Sequence, residues 1–270
     1  VVGAALMKKV LGVGRAVIGI EENKPAAIKA MTDAVASLKE KSSDYQGIEV
    51  MVLKKKYPQG GEKQLIDAVM RRQVKSMGLP IDVGAVVQNV ATSLAVYDAV
   101  QKNMPLITNT LTVTGDCLPA DRQKNYLFRI GFPLSYIAEY NGGVPEAAAK
   151  IVSGGPMMGK AVANLDAATL KGSSSILYFT EEQTRRQPES NCIRCGKCAE
   201  ACPMGLEPFL LNKLARNGMM PELEENAIQD CIECGCCLYS CPANIPLLDT
   251  IRIAKGEVIR AIRARTAPKK

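Results

Sequence analysis

From the start of the chain to about residue 102, short apolar runs rich in β-branched residues alternate with longer stretches of helical periodicity. Arg15 to Ile20 (RAVIGI) and Ile48 to Leu53 (IEVMVL) read as strands, and Val83 to Val87 reads as a third. Helices are expected at Val2 to Val10, Pro25 to Leu38, Glu62 to Arg72 and Ala91 to Lys102. Asn23 is a candidate N-cap, and Pro25 falls at an early helical position, where a missing N–H costs nothing. Strand and helix in alternation predict a parallel sheet with helices packed on it. The chain opens on a helix already under way, without an initiator Met, and is expected to begin inside a domain.

The texture changes between about Pro105 and Thr180. Strand-like runs (Leu111 to Thr114, Tyr126 to Ile130, Lys150 to Val152, Ser175 to Phe179) sit among Gly- and Pro-rich turns, which predicts a small α+β module. Glu181 to Ser190 is polar and reads as a linker. Beyond it short helices are expected, with Glu207 to Arg216 and Glu222 to Asp230 separated by Gly218 and Pro221. The tail from Ile251 to Lys270 is basic, with Ile251, Ile259 and Ile262 interleaved. It reads as a solvated helix end; a segment lying on anionic lipid, or one touching a membrane subunit, is the alternative. No run of about 20 apolar residues occurs, so no transmembrane helix is expected.

Composition narrows the chemistry. The chain has no histidine and no tryptophan, which excludes histidine acid–base catalysis, a Ser–His–Asp triad, histidine-ligated haem and Cys/His zinc sites. The formal charge of +7 is spread along the chain, and aromatics make up only 4%. Stacking platforms for single strands are therefore not expected, and nucleic acid is not expected as a partner. Acidic proteins or an anionic membrane surface account for the sign more simply.

Eight of the ten cysteines fall in two copies of one pattern. Cys192, Cys195, Cys198 and Cys202 precede Pro203; Cys231, Cys234, Cys237 and Cys241 precede Pro242. Each copy reads C-x2-C-x2-C-x3-C-P, the bacterial ferredoxin spacing for a pair of 4Fe–4S clusters. The short gaps let one tight loop aim three thiolates at one iron–sulfur cube. The fourth cysteine lies too far along and reaches the other cube. One cluster is therefore expected on Cys192, Cys195, Cys198 and Cys241, and the second on Cys231, Cys234, Cys237 and Cys202. Gly196 and Gly235, beside ligating cysteines, would offer backbone N–H groups to sulfur. Structural zinc would use one tetrahedral set and leave four cysteines without a reason for their spacing. A disulfide framework suits small secreted chains, and no secretory h-region is present. Cys236 is off register and is expected to pack near a cluster; Cys117 reads as an ordinary buried thiol.

Four glycine- or amide-bearing segments remain. Gly12-Val13-Gly14 precedes a strand, whereas a dinucleotide-binding loop follows one, so it is read as a helix C-cap and turn. In Tyr57-Pro58-Gln59-Gly60-Gly61-Glu62, adjacent glycines at a helix N-terminus would let backbone N–H groups approach an anion or a flavin ring. A tight strand-to-helix turn is the alternative. Gln88-Asn89-Val90-Ala91-Thr92 stands at the carboxyl end of the expected third strand, where ligands dock on open α/β sheets, or else Asn89 simply caps the next helix. Gly154-Gly155-Pro156-Met157-Met158-Gly159 is either a turn or a surface facing a cluster or a partner protein.

Taken in order, IGIEENKPAAI (Ile18 to Ile28), YPQGGEKQLI (Tyr57 to Ile66), VVQNVAT (Val86 to Thr92), TVTGD (Thr112 to Asp116), GGPMMG (Gly154 to Gly159) and the twin cysteine motifs form a specific combination. With them the chain resembles, over essentially its whole length, the RnfC family of the Rnf-type ion-translocating electron-transport complex. The resemblance implies the C-terminal part of an α/β flavin- and NADH-binding domain over residues 1–104 and a β-grasp module of the SLBB type over 105–180. A linker over 181–190, an α-helical two-cluster ferredoxin-like domain over 191–248 and a basic helix or tail over 249–270 follow. The first two modules are similar to the flavin-carrying, NADH-oxidising subunit of respiratory complex I. That similarity implies that Gly60, Gly61 and Glu62, and Asn89 and Thr92, approach FMN and nicotinamide.

The resemblance also implies a peripheral subunit on the cytoplasmic side of the inner membrane. Its partners would be the other subunits of the complex and ferredoxin-type carriers. Electrons would pass between NADH, through FMN, and those carriers by way of two 4Fe–4S clusters, while ions move through membrane subunits. No side chain is expected to act as catalytic acid or base, because the cofactors carry the chemistry. The family's flavin loop, a glycine cluster of the GxGGAG kind with an acidic segment after it, would lie upstream of Val1. This chain alone is thus expected to keep its clusters and to bind FMN weakly or not at all. A soluble corrinoid reductase of the same modules, and a passive two-cluster relay, are the alternative readings.

Overall fold

The computed structural model describes residues 1–266 and divides the chain into two compact units, Val1–Leu106 and the part from Ile107 onward. In the first unit, α1 (Val2–Leu11) stops at Gly12, which is left-handed (φ 65°) and returns its N–H to the Lys8 and Lys9 carbonyls. The GVG segment is thus a C-cap and turn. β1 (Ala16–Glu21) and β2 (Ile48–Leu53) pair in parallel, Ala16 opposite Ile48 and Glu21 opposite Leu53, with α2 (Pro25–Lys41) as the crossover. A parallel pair requires such a crossover, since a tight hairpin only returns a chain antiparallel. Ala5, Val35 and Ile48 form the centre of the core, with Val1, Ile18 and Val50 packed against them. α3 (Glu62–Met70) and α4 (Val90–Lys102) complete the unit.

Two local expectations are corrected. No strand forms over Val83 to Val87. Pro80–Val83 is instead a 3-10 turn, ended by left-handed Gly84 (φ 73°), with the Asp82 carboxylate accepting the Leu79 N–H at 2.7 Å. So short an apolar run is consistent with several structures, and local turn bonding wins where this sheet has only two strands. The N-cap of α2 is Lys24, not Asn23, and no side chain bonds the cap. Pro25 at the first helical position removes one of the N–H groups that have no partner within the helix, and its fixed φ suits the helix start.

The second unit opens on a five-stranded sheet in the order β4-β3-β7-β5-β6. β3 (Thr108–Thr114) runs antiparallel to β4 (Lys124–Arg129) and parallel to β7 (Ser175–Phe179). β7 pairs antiparallel with β5 (Lys150–Ser153), whose other neighbour is the two-residue β6 (Lys160–Ala161). Leu111 and Val113, two residues apart on β3, share one face and meet Ile176 and Tyr178 of β7. α5 (Leu134–Tyr140), which the sequence pattern does not predict, covers that face with Leu134 and Ile137.

After β7 the chain is helical: α6 (Glu181–Thr184), α7 (Lys197–Glu200), α8 (Pro208–Arg216), α9 (Met220–Glu225), α10 (Cys236–Tyr239) and α11 (Leu247–Thr266). Leu211, Leu214, Leu223, Ile228, Leu247, Ile251 and Val258 form their core. The helix expected over Glu222 to Asp230 is broken by left-handed Ala227 (φ 54°), which separates α9 from a short turn at Ile228–Asp230.

The segment expected to be a linker, 181–190, is tied to its neighbours. Arg186 pairs with Asp249, Glu189 with Arg216 at 2.8 Å, and the Ser190 N–H donates to the Ala243 carbonyl at 2.9 Å. The tail expected from residue 249 is continuous with α11, and its residues 267–270 lie outside the described ones. Ile251, Ala254 and Val258 of α11 are buried, with Ile262 packed on the same core. The apolar face that a lipid-lying segment would need is therefore spent inside the protein. No helix among the described residues is long and apolar enough to cross a membrane.

Where α1 meets α4, a methyl group at Gly3 would overlap the Ser93 carbonyl. Gly3→Val is expected to force the two helices apart and lower the stability of the first unit by about 2 kcal/mol, in the range of overpacked cores. Chemical denaturation followed by far-ultraviolet circular dichroism checks this.

Candidate metal centre

The two cysteine motifs adopt one backbone. Left-handed residues recur at matched positions: Arg194 and Glu233 (both φ 56°), Gly196 and Gly235 (76° and 84°), Gly205 and Asn244 (67° and 54°). Each pair keeps the spacing that separates Cys192 from Cys231. Each copy thus runs as a loop, a four-residue helix (α7 or α10), a Cys-Pro step, a turn and a longer helix (α8 or α11). A left-handed conformation costs a non-glycine residue about 1–2 kcal/mol. Its recurrence at Arg194 and Glu233 indicates that the loop is shaped by what its cysteines must face.

The fourth cysteine of each copy lies with the other copy. Cys202 is close enough to Cys231 and Cys237 for their charges to interact, and Cys241 stands in the same relation to Cys198. Cys202, Cys231, Cys234 and Cys237 line one small cavity, walled by Pro203, Met204, Leu206, Leu211, Leu248 and Ile251. Among the described residues no three such side chains converge tightly enough to hold one metal ion. A cube takes each thiolate at a separate iron, so its ligands stand further apart than those of a single ion. The two copies differ in cover: Cys192 and Cys195 are exposed, whereas Cys234 and Cys237 are buried.

Burial sets the acid–base character of the thiols. It pushes Cys237 up to about 12, and raises Cys198 and Cys231 as well. Backbone N–H groups oppose it: those of Phe209 and Ala199 donate to Cys198, that of Leu238 to Cys237, and that of Glu233 to the Cys231 Sγ at 3.4 Å. Such N–H···S bonds favour the thiolate and are among the levers that tune an iron–sulfur centre. Cys236 is pushed up to about 11 by burial first and by its hydrogen bond to Cys234 second, so it packs within the second set as expected. Cys117 is half-buried, far from both sets in sequence, and its Sγ donates to the Ala147 carbonyl at 3.5 Å.

Residues that no motif announces hold the second loop. Glu233, inside the C-x2-C segment, pairs with Arg252 at 2.8 Å and Lys255 at 3.1 Å on α11. Lys255 also donates to the Cys231 carbonyl at 2.6 Å. Burial raises the Glu233 carboxyl, but Lys255 and then Arg252 outweigh it and hold the group below the usual carboxylate range. The one signal in the sequence is a charge placed between two ligand positions. The GGPMMG loop also comes to this site. A Cβ on Gly235 would stand 3.1 Å from the Met157 carbonyl oxygen and 3.4 Å from its methyl.

The residues implied for FMN are placed differently. Gly60, Gly61 and Glu62 stand at the N-terminus of α3, where Gly61 is the N-cap. Asn89 caps α4 by accepting the Ala91 N–H at 2.9 Å, and Thr92 lies exposed in the first turn of that helix. With no third strand, this segment is not at a strand's carboxyl end. Neither group lines the cysteine cavity or the larger cavity beside Ser153 and Lys160.

Known proteins match the chain in both of these regions. Residues 1–98 match the Nuo51 FMN-binding domain family, and residues 191–245 the 4Fe-4S dicluster domain family. The RnfC-type component of the proton-translocating ferredoxin:NAD(+) oxidoreductase complex of Clostridium ljungdahlii is 45% identical over 225 residues, 83% of this chain and 47% of that protein. The corresponding component of the Na(+)-translocating ferredoxin:NAD(+) oxidoreductase complex of Acetobacterium woodii is 41% identical, across 96% of this chain and 56% of that one. That of the ion-translocating oxidoreductase complex of Rhodobacter capsulatus is 39% identical, with 95% and 48% covered. The chain belongs to the RnfC family of ion-translocating oxidoreductase complexes. It spans about half the length of these relatives. The fold recurs at greater distance. A crystal structure of an NAD+-reducing [NiFe]-hydrogenase in the H2-reduced state superposes with a TM-score of 0.58 at 15% identity, covering 99% of this chain and 55% of that one.

Removing Glu233 would leave Arg252 and Lys255 half-buried without their carboxylate. Glu233→Ala is expected to cost about 1.5–3 kcal/mol of stability in the second unit, the range for hydrogen bonds to charged groups. A denaturant titration against the unsubstituted chain measures it.

Proposed function

We propose that this chain is an electron-transfer subunit of an ion-translocating oxidoreductase complex. In this reading it passes electrons between NADH, through FMN, and ferredoxin-type carriers by way of two 4Fe–4S clusters. The observation that carries it is the exchange of fourth cysteines between two loops of matched backbone, with Cys202 beside Cys231 and Cys237 and Cys241 beside Cys198. The donor set fits: thiolates, a cavity with an apolar wall and backbone N–H groups aimed at sulfur are what an iron–sulfur cube needs. Cys192, Cys195, Cys198 and Cys241 would hold one cluster, and Cys231, Cys234, Cys237 and Cys202 the other.

For FMN, the N-termini of α3 and α4 supply the fitting groups. Gly60 has no atom within 4 Å of where a Cβ would stand, so a flat ring could lie against that backbone. Gly60, Gly61 and Glu62, with Asn89 and Thr92, would then bind and orient FMN and nicotinamide. Bound FMN would convert a two-electron donor into single electrons that clusters can carry.

The modules of this reading are residues 1–104 for flavin and nucleotide, 105–180 for an SLBB-like β-grasp domain and 191–248 for the clusters. The β-grasp assignment draws on the β3–β4 hairpin, the helix α5 and the later strand β7 laid parallel to β3. The partners would be the other proteins of the complex, with the chain peripheral on the cytoplasmic side of the inner membrane. A non-catalytic relay is the reading to distinguish.

Anaerobic reconstitution of the 270-residue chain is expected to yield about eight irons with matching sulfide, two cubes' worth. Cys198→Ser should abolish one paramagnetic signal and spare the other, and Cys237→Ser the reverse. Loss of neither signal, or zinc in place of iron, defeats the assignment. FMN recovered with the chain, together with NADH oxidation, separates a catalytic role from the relay.

A further inference from the structure

The duplicated motif invites comparison of the two copies position by position. The second is covered: Cys234 and Cys237 are buried, Leu248 is 5% exposed, and Met157 of the GGPMMG loop rests on Gly235. The first is open at every matched place. Cys192 and Cys195 are exposed, Ile193 is 68% exposed where its counterpart Ile232 lines the cysteine cavity, and Phe209, the counterpart of Leu248, is 42% exposed. Phe209 is also the residue whose N–H donates to Cys198.

Charge divides the copies in the same way. From Arg185 to Arg216 there are six basic residues against three acidic ones; the matched stretch from Glu224 to Lys255 has two basic against five acidic. Within the loops, Arg194 takes the place of Glu233. Glu233 is neutralised by Arg252 and Lys255, whereas Arg194 is exposed and has no ion-pair partner among the described residues. Lys197, three residues on, is exposed as well.

We propose that the open face around Cys192 and Cys195, with Ile193 and Phe209 as apolar contacts and Arg194 and Lys197 as charges, docks a small acidic electron-carrier protein. This makes the first cluster the port through which electrons enter or leave. The inference rests on the two-cluster reading above. Exposure of Cys192 and Cys195 lets a partner approach closely, the apolar side chains give it contact area, and a basic rim attracts and orients an acidic carrier during encounter. The step moves one electron between a reduced cluster on one protein and an oxidised cluster on the other, with no bond made or broken.

The test uses the full reconstituted chain, chemically reduced, mixed by stopped flow with a purified acidic ferredoxin. Iron content and paramagnetic resonance are measured first, so failure of the two-cluster reading is seen separately as missing clusters. Arg194→Glu with Lys197→Glu is expected to slow the second-order rate about tenfold at low salt and to flatten its fall with ionic strength. Lys171→Glu, a charge reversal in the turn before β7, should leave the rate unchanged. Should the double reversal lose the first cluster, Arg194→Asn with Lys197→Gln keeps a residue suited to the left-handed position and should slow transfer about threefold. Equal rates and salt slopes with both clusters intact overturn the proposal. So does equal slowing by Lys171→Glu, or self-association of the chain through this face in sedimentation.

Discussion

The reach of the fourth cysteine governs the C-terminal half of the second unit. Three cysteines on one loop can face one centre, but Cys202 and Cys241 are carried past their own loops by the short helices α7 and α10. Each comes to lie against the other copy, so the grouping of Cys202 with Cys231 and Cys237, and of Cys241 with Cys198, requires both copies to have folded together. The core follows from this. α8 and α11, the helices that leave the two Cys-Pro turns, pack on each other through Leu211, Leu214, Leu247 and Ile251, with Leu223 and Ile228 filling between. If the proposed centres were held there, metal loading and folding would be one equilibrium, and the buried thiols would lose their protons on binding.

That interleaving leaves one unit to play two roles. The backbone of the two loops is the same, yet their surroundings differ in cover and sign. Part of the difference comes from an element outside the duplication, the GGPMMG loop between β5 and β6, which reaches Gly235. The rest lies within it: Arg252 and Lys255 pair with Glu233, whereas their counterparts Lys213 and Arg216 on α8 have Arg194 at the matched place, and Arg216 pairs with Glu189 instead.

Much of the architecture is legible in the residues alone, and the failures have physical causes. β2 and β7 are located to the residue, because mostly apolar runs rich in β-formers coincide there with strands that have partners. Val83 to Val87 has the same local texture, but Gly84 and the Asp82 side chain fold it into a turn, and no periodicity reports a missing neighbour. α5 escapes notice because seven residues behind Pro133 are too few for a helical period to show. The cysteine spacing locates the two loops and anticipates that Cys202 lies beside Cys231 and Cys241 beside Cys198. It does not carry Glu233, Arg252 and Lys255, which lie close in space through α11 rather than through any motif. Asn89 is legible only as an ambiguity between cap and ligand, and its bond to the Ala91 N–H shows that the capping role is filled.

On the two-cluster proposal, the same asymmetry would set the two centres apart in energy. Reducing an iron–sulfur cube adds negative charge, which is resisted where water is excluded and favoured where water and cations are near. If cubes were held as proposed, buried Cys234 and Cys237, with an apolar wall and Met157 over Gly235, would disfavour added charge at the second site. Lys255 would oppose that effect at Cys231, but it is already paired with Glu233, so its charge is largely offset. Exposed Cys192 and Cys195, beside Arg194 and Lys197, would favour it at the first. On the proposed reading, one duplicated loop would then hold two centres of different potential through its surroundings alone.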